Sequence, residues 1–126
     1  MMQILPLEDK LKIQSYCLQF SVDFLLSSSA YVAIEDGDAI GICLFEIKAD
    51  SCVIRAFKIL EEYSNTFVPY LLIRSVVHFA YECDIDKLII ESEDISCELA
   101  EKSGFELVND GANDCRIYNY KGHIDR

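Results

Sequence analysis

Cations are scarce in this sequence. Of 126 residues, 11 are Lys or Arg against 22 Asp or Glu, so the chain carries a net charge of −11. That surplus repels phosphate backbones and anionic headgroups, which excludes a nucleic acid or an anionic membrane as the main partner. It reads as a solvated acidic surface, and its functional counterpart is attraction for a cationic amine or peptide. Long apolar runs are missing too, since nothing approaches the roughly 18 residues that would cross a bilayer. The opening Met1-Met2-Gln3-Ile4-Leu5-Pro6 has no basic segment leading into an apolar stretch. A soluble, unexported, cytoplasmic chain is expected.

Metal-binding cysteine pairs are absent as well. Cys17, Cys43, Cys52, Cys83, Cys97 and Cys115 form no Cys-x-x-Cys pair, and with only His78 and His123 beside them they make no ligand set, so no metal is expected. Among apolar neighbours they read as reduced, small hydrophobes of a reducing compartment. No histidine is placed by a local motif to activate a thiol, which excludes a thiol enzyme. His78 reads as a partly exposed helix residue.

What is present is a run of well-patterned elements in one domain, residues 1–126, long enough for a full core and too short for two. Residues 8–20 predict an irregular amphipathic helix, and 22–26 a second short one before the turn Ser27-Ser28-Ser29. Strands at 31–35 and 39–48 are joined by Asp36-Gly37-Asp38, a hairpin signal because Gly37 takes positive φ without cost. A third strand at 52–60 completes a meander after the turn 48–51. From Phe67 the period becomes helical through Cys83, with Asn65 or Thr66 as N-cap, Pro69 in the first turn and Asp84 as terminator. A short strand at 87–91, with an apolar run suited to burial on both faces, leads to a helix at 95–102 closed by Gly104. Strands at 105–108 and 116–120, joined by a turn-rich loop at 109–114, end the chain ahead of a frayed tail.

Between the third strand and the long helix lies Glu61-Glu62-Tyr63-Ser64-Asn65-Thr66, which contains neither glycine nor a cation. Strand-to-helix crossings of this kind hold phosphates when free N–H groups and glycines allow close approach. This one has two carboxylates, with a proline just beyond it.

The order of elements, the stretch from Phe57-Lys58-Ile59-Leu60-Glu61-Glu62-Tyr63 to Leu71-Leu72, and Leu99-Ala100-Glu101-Lys102-Ser103-Gly104-Phe105 together resemble the Gcn5-related N-acetyltransferase (GNAT) family. The likeness spans roughly residues 31–120. It implies an α+β fold: a mostly antiparallel sheet of six to seven strands flanked by about four helices. It also implies acetyl-CoA as cofactor, its pantetheine arm paired to the main chain of Phe57, Lys58, Ile59 and Leu60 and its phosphates near Phe67 and Val68. On this register Ser64 stands where the family has Arg or Gln, and Phe67 and Pro69 stand where it has small loop residues, usually Gly. Proline has no N–H to give. Ala100 stands where a tyrosine often protonates the leaving thiolate, and Asp94 where an Asn is common. The nearest hydroxyls in sequence, those of Tyr63, Tyr70 and Tyr81, read as packing on helix faces.

Two functions follow. In the first, the chain has an acetyltransferase-like fold that is non-catalytic or strongly altered in acetyl-CoA binding, and acts as a small-ligand or protein-binding domain. There Phe67, Val68 and Pro69 fill the cofactor groove or form an apolar patch at a subunit contact, as in a homodimer. In the second it is an active acetyl-CoA-dependent N-acetyltransferase acting on a small-molecule amine, with Glu46, which interrupts an apolar strand, or Glu91, at a strand end, as general base.

Overall fold

The computed structural model describes residues 2–92, 94–109 and 117–120, the side chains of 108, 109 and 117–119 excepted. Its elements are β1 (Met2–Leu7), α1 (Lys10–Phe20), β2 (Ser29–Glu35), β3 (Asp38–Lys48), β4 (Ser51–Ile59), a 3₁₀ turn (Glu61–Tyr63), α2 (Val68–Glu82), β5 (Lys87–Ile90), α3 (Cys97–Lys102), β6 (Phe105–Asn109) and β7 (Ile117–Tyr120). The strands form one sheet in the order β1-β2-β3-β4-β5-β7-β6. Every neighbouring pair is antiparallel except β4 with β5. The α+β fold and its seven-stranded, mostly antiparallel sheet agree with the sequence reading. Among the described residues the helices are three α-helices and the 3₁₀ turn. The connecting loop at 110–116 and the tail lie outside the described residues.

Alternation sends the strands' side chains to two cores. On one face Cys43, Phe45, Cys52, Ile54 and Phe57 meet Leu72, Ile73, Val76 and Ala80 of α2. On the other, Val32, Ile42 and Leu44 meet Ile13, Cys17 and Phe20 of α1. The apolar stripe of α2 thus lies on the sheet as its period requires. Cys17, Cys43 and Cys52 are buried thiols. Burial raises all three, Cys52 to about 12, which leaves them inert as nucleophiles. Cys83, by contrast, is exposed, and Cys115 lies outside the described residues.

Local chemistry sets most boundaries. The β2–β3 turn is built by Asp36 and Gly37 at φ 51° and 89°, the two positive values of a tight hairpin. Pro69 sits at the start of α2, and the Val68 N–H donates to Thr66 Oγ1 at 3.2 Å, so Thr66 supplies the capping oxygen one residue before the helix boundary at Phe67. At the far end Asp84 (φ 57°) takes the left-handed position, with the Ile85 N–H returning to the Ala80 carbonyl. Gly104 (φ 98°) follows α3 in the same way.

Three expectations need correction. Residues 2–7, read only for targeting signals, are an edge strand, where Pro6 is tolerated opposite Tyr31. The helix at 22–26 does not form, because Ser21 turns left-handed (φ 58°) and returns its N–H to Cys17 and Leu18, closing α1 and sending the chain off as a loop. Ile89 in β5 is half-buried, so only Leu88 and Ile90 are fully inside.

Candidate functional site

The site begins at a register shift. β3 and β4 pair as Phe45 with Ile54 and then Leu44 with Ala56, leaving Arg55 as the extra residue of a β-bulge. A bulge reverses which main-chain groups face each neighbour and re-aims the side chain it carries. Below it, the Ile54 carbonyl faces β5 and accepts the Glu91 N–H at 3.0 Å. Above it, the Leu60 N–H donates to the Ile40 carbonyl at 2.9 Å, so Leu60, Lys58 and Ala56 exchange hydrogen bonds with β3. Phe57 and Ile59 lie between them. Their N–H and C=O groups therefore face away from β3.

On that side no strand among the described residues pairs with them. β5 pairs with β4 only from Ser51 to Ile54, its own residues Lys87 to Ile90 being used up. Beyond Ile54 and Ile90 the parallel strands have no ladder between them. The strands thus separate at their C-terminal ends, after Ile90, while Lys87 sits at the paired end opposite Ser51.

A groove of about 390 Å³ opens there. Phe57 and Ile59 line one side, with Ser64, Asn65, Thr66, Pro69 and Tyr70 at one end and Asp94, Ser96, Glu98, Leu99 and Lys102 opposite. The Ile59 side chain packs over Gly41 of β3, where a Cβ would come within 2.7 Å of Ile59 Cδ1, 3.1 Å of Leu72 Cδ1 and 3.2 Å of the Lys58 carbonyl oxygen. The pantetheine candidates divide by strand parity. Phe57 and Ile59 face the groove, whereas the amides of Lys58 and Leu60 face β3. Phe67 is 71% exposed and Val68 is packed into the core, so of the three residues expected to fill the groove only Pro69 lines it, and filling by Phe67 and Val68 is overturned.

The phosphate end is built differently. The Ser64 and Thr66 N–H groups are taken by the Glu61 and Tyr63 carbonyls, the Val68 N–H by Thr66 Oγ1 and the Leu71 N–H by the Phe67 carbonyl. Pro69 gives none. Arg74 lies on a separate face, donating to the Tyr120 hydroxyl at 3.0 Å. Lys102, noted in the sequence only as part of the Glu-Lys-Ser-Gly-Phe ending, is the cation of the groove wall; its Nζ lies 5.8 Å from the centroid of the Phe67 ring. Asp94 and Glu98 share that wall. Pantetheine, an amide-rich neutral arm, fits the bare strand edge. The pyrophosphate of CoA fits poorly: the Ser64, Thr66 and Val68 N–H groups are already given away and Pro69 has none, which leaves it the Asn65, Phe67 and Tyr70 amides in surroundings whose charge is mostly negative.

At the apex, where β4 and β5 part, the two carboxylates proposed from the sequence come together on one guanidinium. Arg55 Nε donates to Glu46 Oε1 at 2.5 Å, and Arg55 also donates to Glu91. Glu46 is only 7% exposed and is further held by the Ser27 hydroxyl at 2.6 Å and by Lys48 at 3.6 Å. The Ser27 hydrogen bond and then Arg55 and Lys48 hold its carboxyl below the usual carboxylate range, against the opposing effect of burial. Glu46 is thus a fixed anion with its lone pairs engaged. Glu91 is the more open of the two, its side chain 30% exposed. The link through Arg55 was not legible in the sequence, because only the bulge aims that side chain between them. Ala100 is fully buried and Tyr70 lines the groove. His78 is an exposed helix residue paired with Glu82 at 2.7 Å. Among the described residues no helix is long and apolar enough to cross a membrane, and no cluster of His, Cys, Asp and Glu could hold a metal ion.

No family profile and no curated protein matches the sequence. Solved structures match the fold. An IAA acetyltransferase from Bacillus cereus superimposes with a TM-score of 0.78 at 16% identity, covering 96% of this chain and 99% of that one. A GNAT family acetyltransferase from Elizabethkingia anophelis with acetyl-CoA bound gives 0.71 at 16% identity over 95% and 97%. The ribosomal-protein-S18-alanine N-acetyltransferase from Escherichia coli gives 0.72 at 12% identity over 95% and 93%. At these identities the likeness establishes the fold, and the chain has the fold of the GNAT acetyltransferases.

Proposed function

We propose that this GNAT-fold chain binds the pantetheine arm of an acyl thioester along β4, strongly altered at the phosphate end, and passes the acyl group to an amine at the apex of the groove. The observation that carries this reading is the groove itself: the main chain of Phe57 and Ile59 faces a gap of about 390 Å³ that, among the described residues, no side chain closes. The strand edge would take the arm's amides by main-chain pairing, as an added strand takes a sheet edge. Such pairing survives the side-chain substitutions that mark the crossing.

At the apex Arg55 and Lys48 offset Glu46 and Glu91, so it is the more open Glu91 carboxylate, within an acidic chain, that suits an incoming ammonium. Glu91 is the better base because it is more open, while Glu46 fixes Arg55, and Arg55 in turn positions Glu91. A bound thioester supplies the electrophilic carbonyl. Glu91 takes a proton from the ammonium, and the freed nitrogen forms the bond to the acyl carbon as the C–S bond breaks. Of the two protons the nitrogen gives up in all, one ends on the departing sulfur and one passes through Glu91 to solvent. With Ala100 buried and without a hydroxyl, the proton that ends on sulfur is relayed to the thiolate through water.

The test is amine-dependent thiol release from S-acetyl-pantetheine and acetyl-CoA across a panel of small amines. Glu91→Gln is expected to lower kcat on the order of 100-fold with KM nearly unchanged, the loss typical of a removed general base. A variant with the rate of the parent would remove Glu91 from the role, and no amine-dependent release from either thioester would remove the transferase activity.

A further inference from the structure

The groove offers a thioester two unequal ends, and the inequality names the class of donor. We infer that the donor is selected by its neutral pantetheine arm and not by its phosphates, so that acyl-pantetheine serves as well as acyl-CoA; this rests on the groove assignment under Proposed function. A pyrophosphate is held by convergent N–H groups at a helix N-terminus and by cations. Here the Val68 N–H is given to Thr66 Oγ1 and Pro69 has none to give, so the donors left at the start of α2 are the Asn65, Phe67 and Tyr70 amides, with Glu61, Glu62, Asp94 and Glu98 around them and Lys102 as the one cation of the groove lining. The crossing's own amides at Ser64 and Thr66 are consumed inside the turn.

Charge points the same way. Lys102, its Nζ 5.8 Å from the Phe67 ring centroid, shares the groove lining with Asp94 and Glu98, and the chain as a whole carries −11. A polyanion therefore gains nothing from the field and loses its hydration on entering. At the other end the exposed groups of Phe57 and Ile59 are neutral dipoles, matched to amides. A donor that ends at the pantetheine hydroxyl keeps every favourable contact and avoids the unfavourable ones.

The test is calorimetric titration of the whole chain with S-acetyl-pantetheine and with acetyl-CoA, each at about 50 and about 300 mM salt, where screening lengths differ roughly twofold. The dissociation constants are expected to agree within about threefold, with that of acetyl-CoA changing less than about twofold between the salts. Acetyl-CoA binding more than about 30-fold tighter, and weakening about tenfold with salt, would overturn the inference while leaving the groove assignment standing. Silence from both ligands would overturn the two together. Pro69→Gly provides a second arm. By restoring an N–H it should tighten acetyl-CoA about fivefold and leave S-acetyl-pantetheine unchanged, and equal tightening of both would contradict the stated division of the groove.

Discussion

Truncation of Phe45 to alanine is expected to lower the free energy of unfolding by about 3–5 kcal/mol, the range for a large buried aromatic whose space the neighbours refill only in part. Phe45 is 2% exposed at the centre of β3. Its ring is stacked on Tyr31 at 5.7 Å and tilted against Phe79 of α2 at 5.1 Å, so one substitution strips contacts from the sheet and from the helix that covers it. It also pairs with Ile54, the last β4 residue before the bulge, which makes it the floor on which the apex stands. Urea unfolding followed by circular dichroism checks the magnitude. A loss under about 1 kcal/mol would mean that α2 does not pack on the sheet as described.

Removal of Arg55 has the second largest expected effect and a distinctive pH dependence. Arg55→Ala leaves Glu46 buried with Ser27 and Lys48 but without its closest charge partner. Breaking a fully buried pair costs about 3–5 kcal/mol. Because Arg55 and Glu91 are partly solvated, about 2–3 kcal/mol is expected here. Glu46 is held below its ordinary value of 4.5, so its contribution is full above that value and is lost as the pH falls through the lowered folded-state value. The gap between parent and variant should therefore be widest near neutrality and narrow below about pH 4.5, where a protonated Glu46 no longer needs the guanidinium. Denaturation midpoints across that range check it, and a gap that stays constant would show that the guanidinium acts only through packing. Paired with Glu46→Gln, the Arg55 substitution should cost less than the single losses added together.

The elements that carried strong local chemistry were legible before any coordinates. Asp36-Gly37 demanded a hairpin, Pro69 fitted only a first helical turn, and the stripe Leu72, Val76 and Ala80 had to find a core. β1 was not legible because four of its six residues are apolar without clear alternation and Pro6 argues against a strand, which only its place at the sheet edge permits. The apex escaped for a different reason. Nothing local in Cys52-Val53-Ile54-Arg55-Ala56-Phe57 announces that Arg55 is the extra residue opposite Leu44. A bulge is a property of two paired strands, and neither strand shows it alone. Glu46 and Glu91 could be singled out as carboxylates in unusual places, but their meeting on Arg55 depends on that register. The groove was half legible: the substitutions at Ser64, Phe67 and Pro69 marked the phosphate end as changed. They suggested filling, whereas Phe67 turns outward to Lys102 and leaves the strand edge open.

The proposed function thus places the alteration at one end of the groove and leaves the strand edge in use. The proposed function requires the main chain of Phe57 and Ile59 to be a binding edge, and an amide-resolved NMR titration with pantetheine tests this most directly. The amides of Phe57 and Ile59 are expected to move most, accompanied by Ser96 and Leu99 of the opposite wall, while those of Lys58 and Leu60, committed to β3, move least. Saturating pantetheine that leaves the Phe57 and Ile59 amides unmoved, or that shifts only the exposed face of α1 around Leu11 and Leu18, would contradict it.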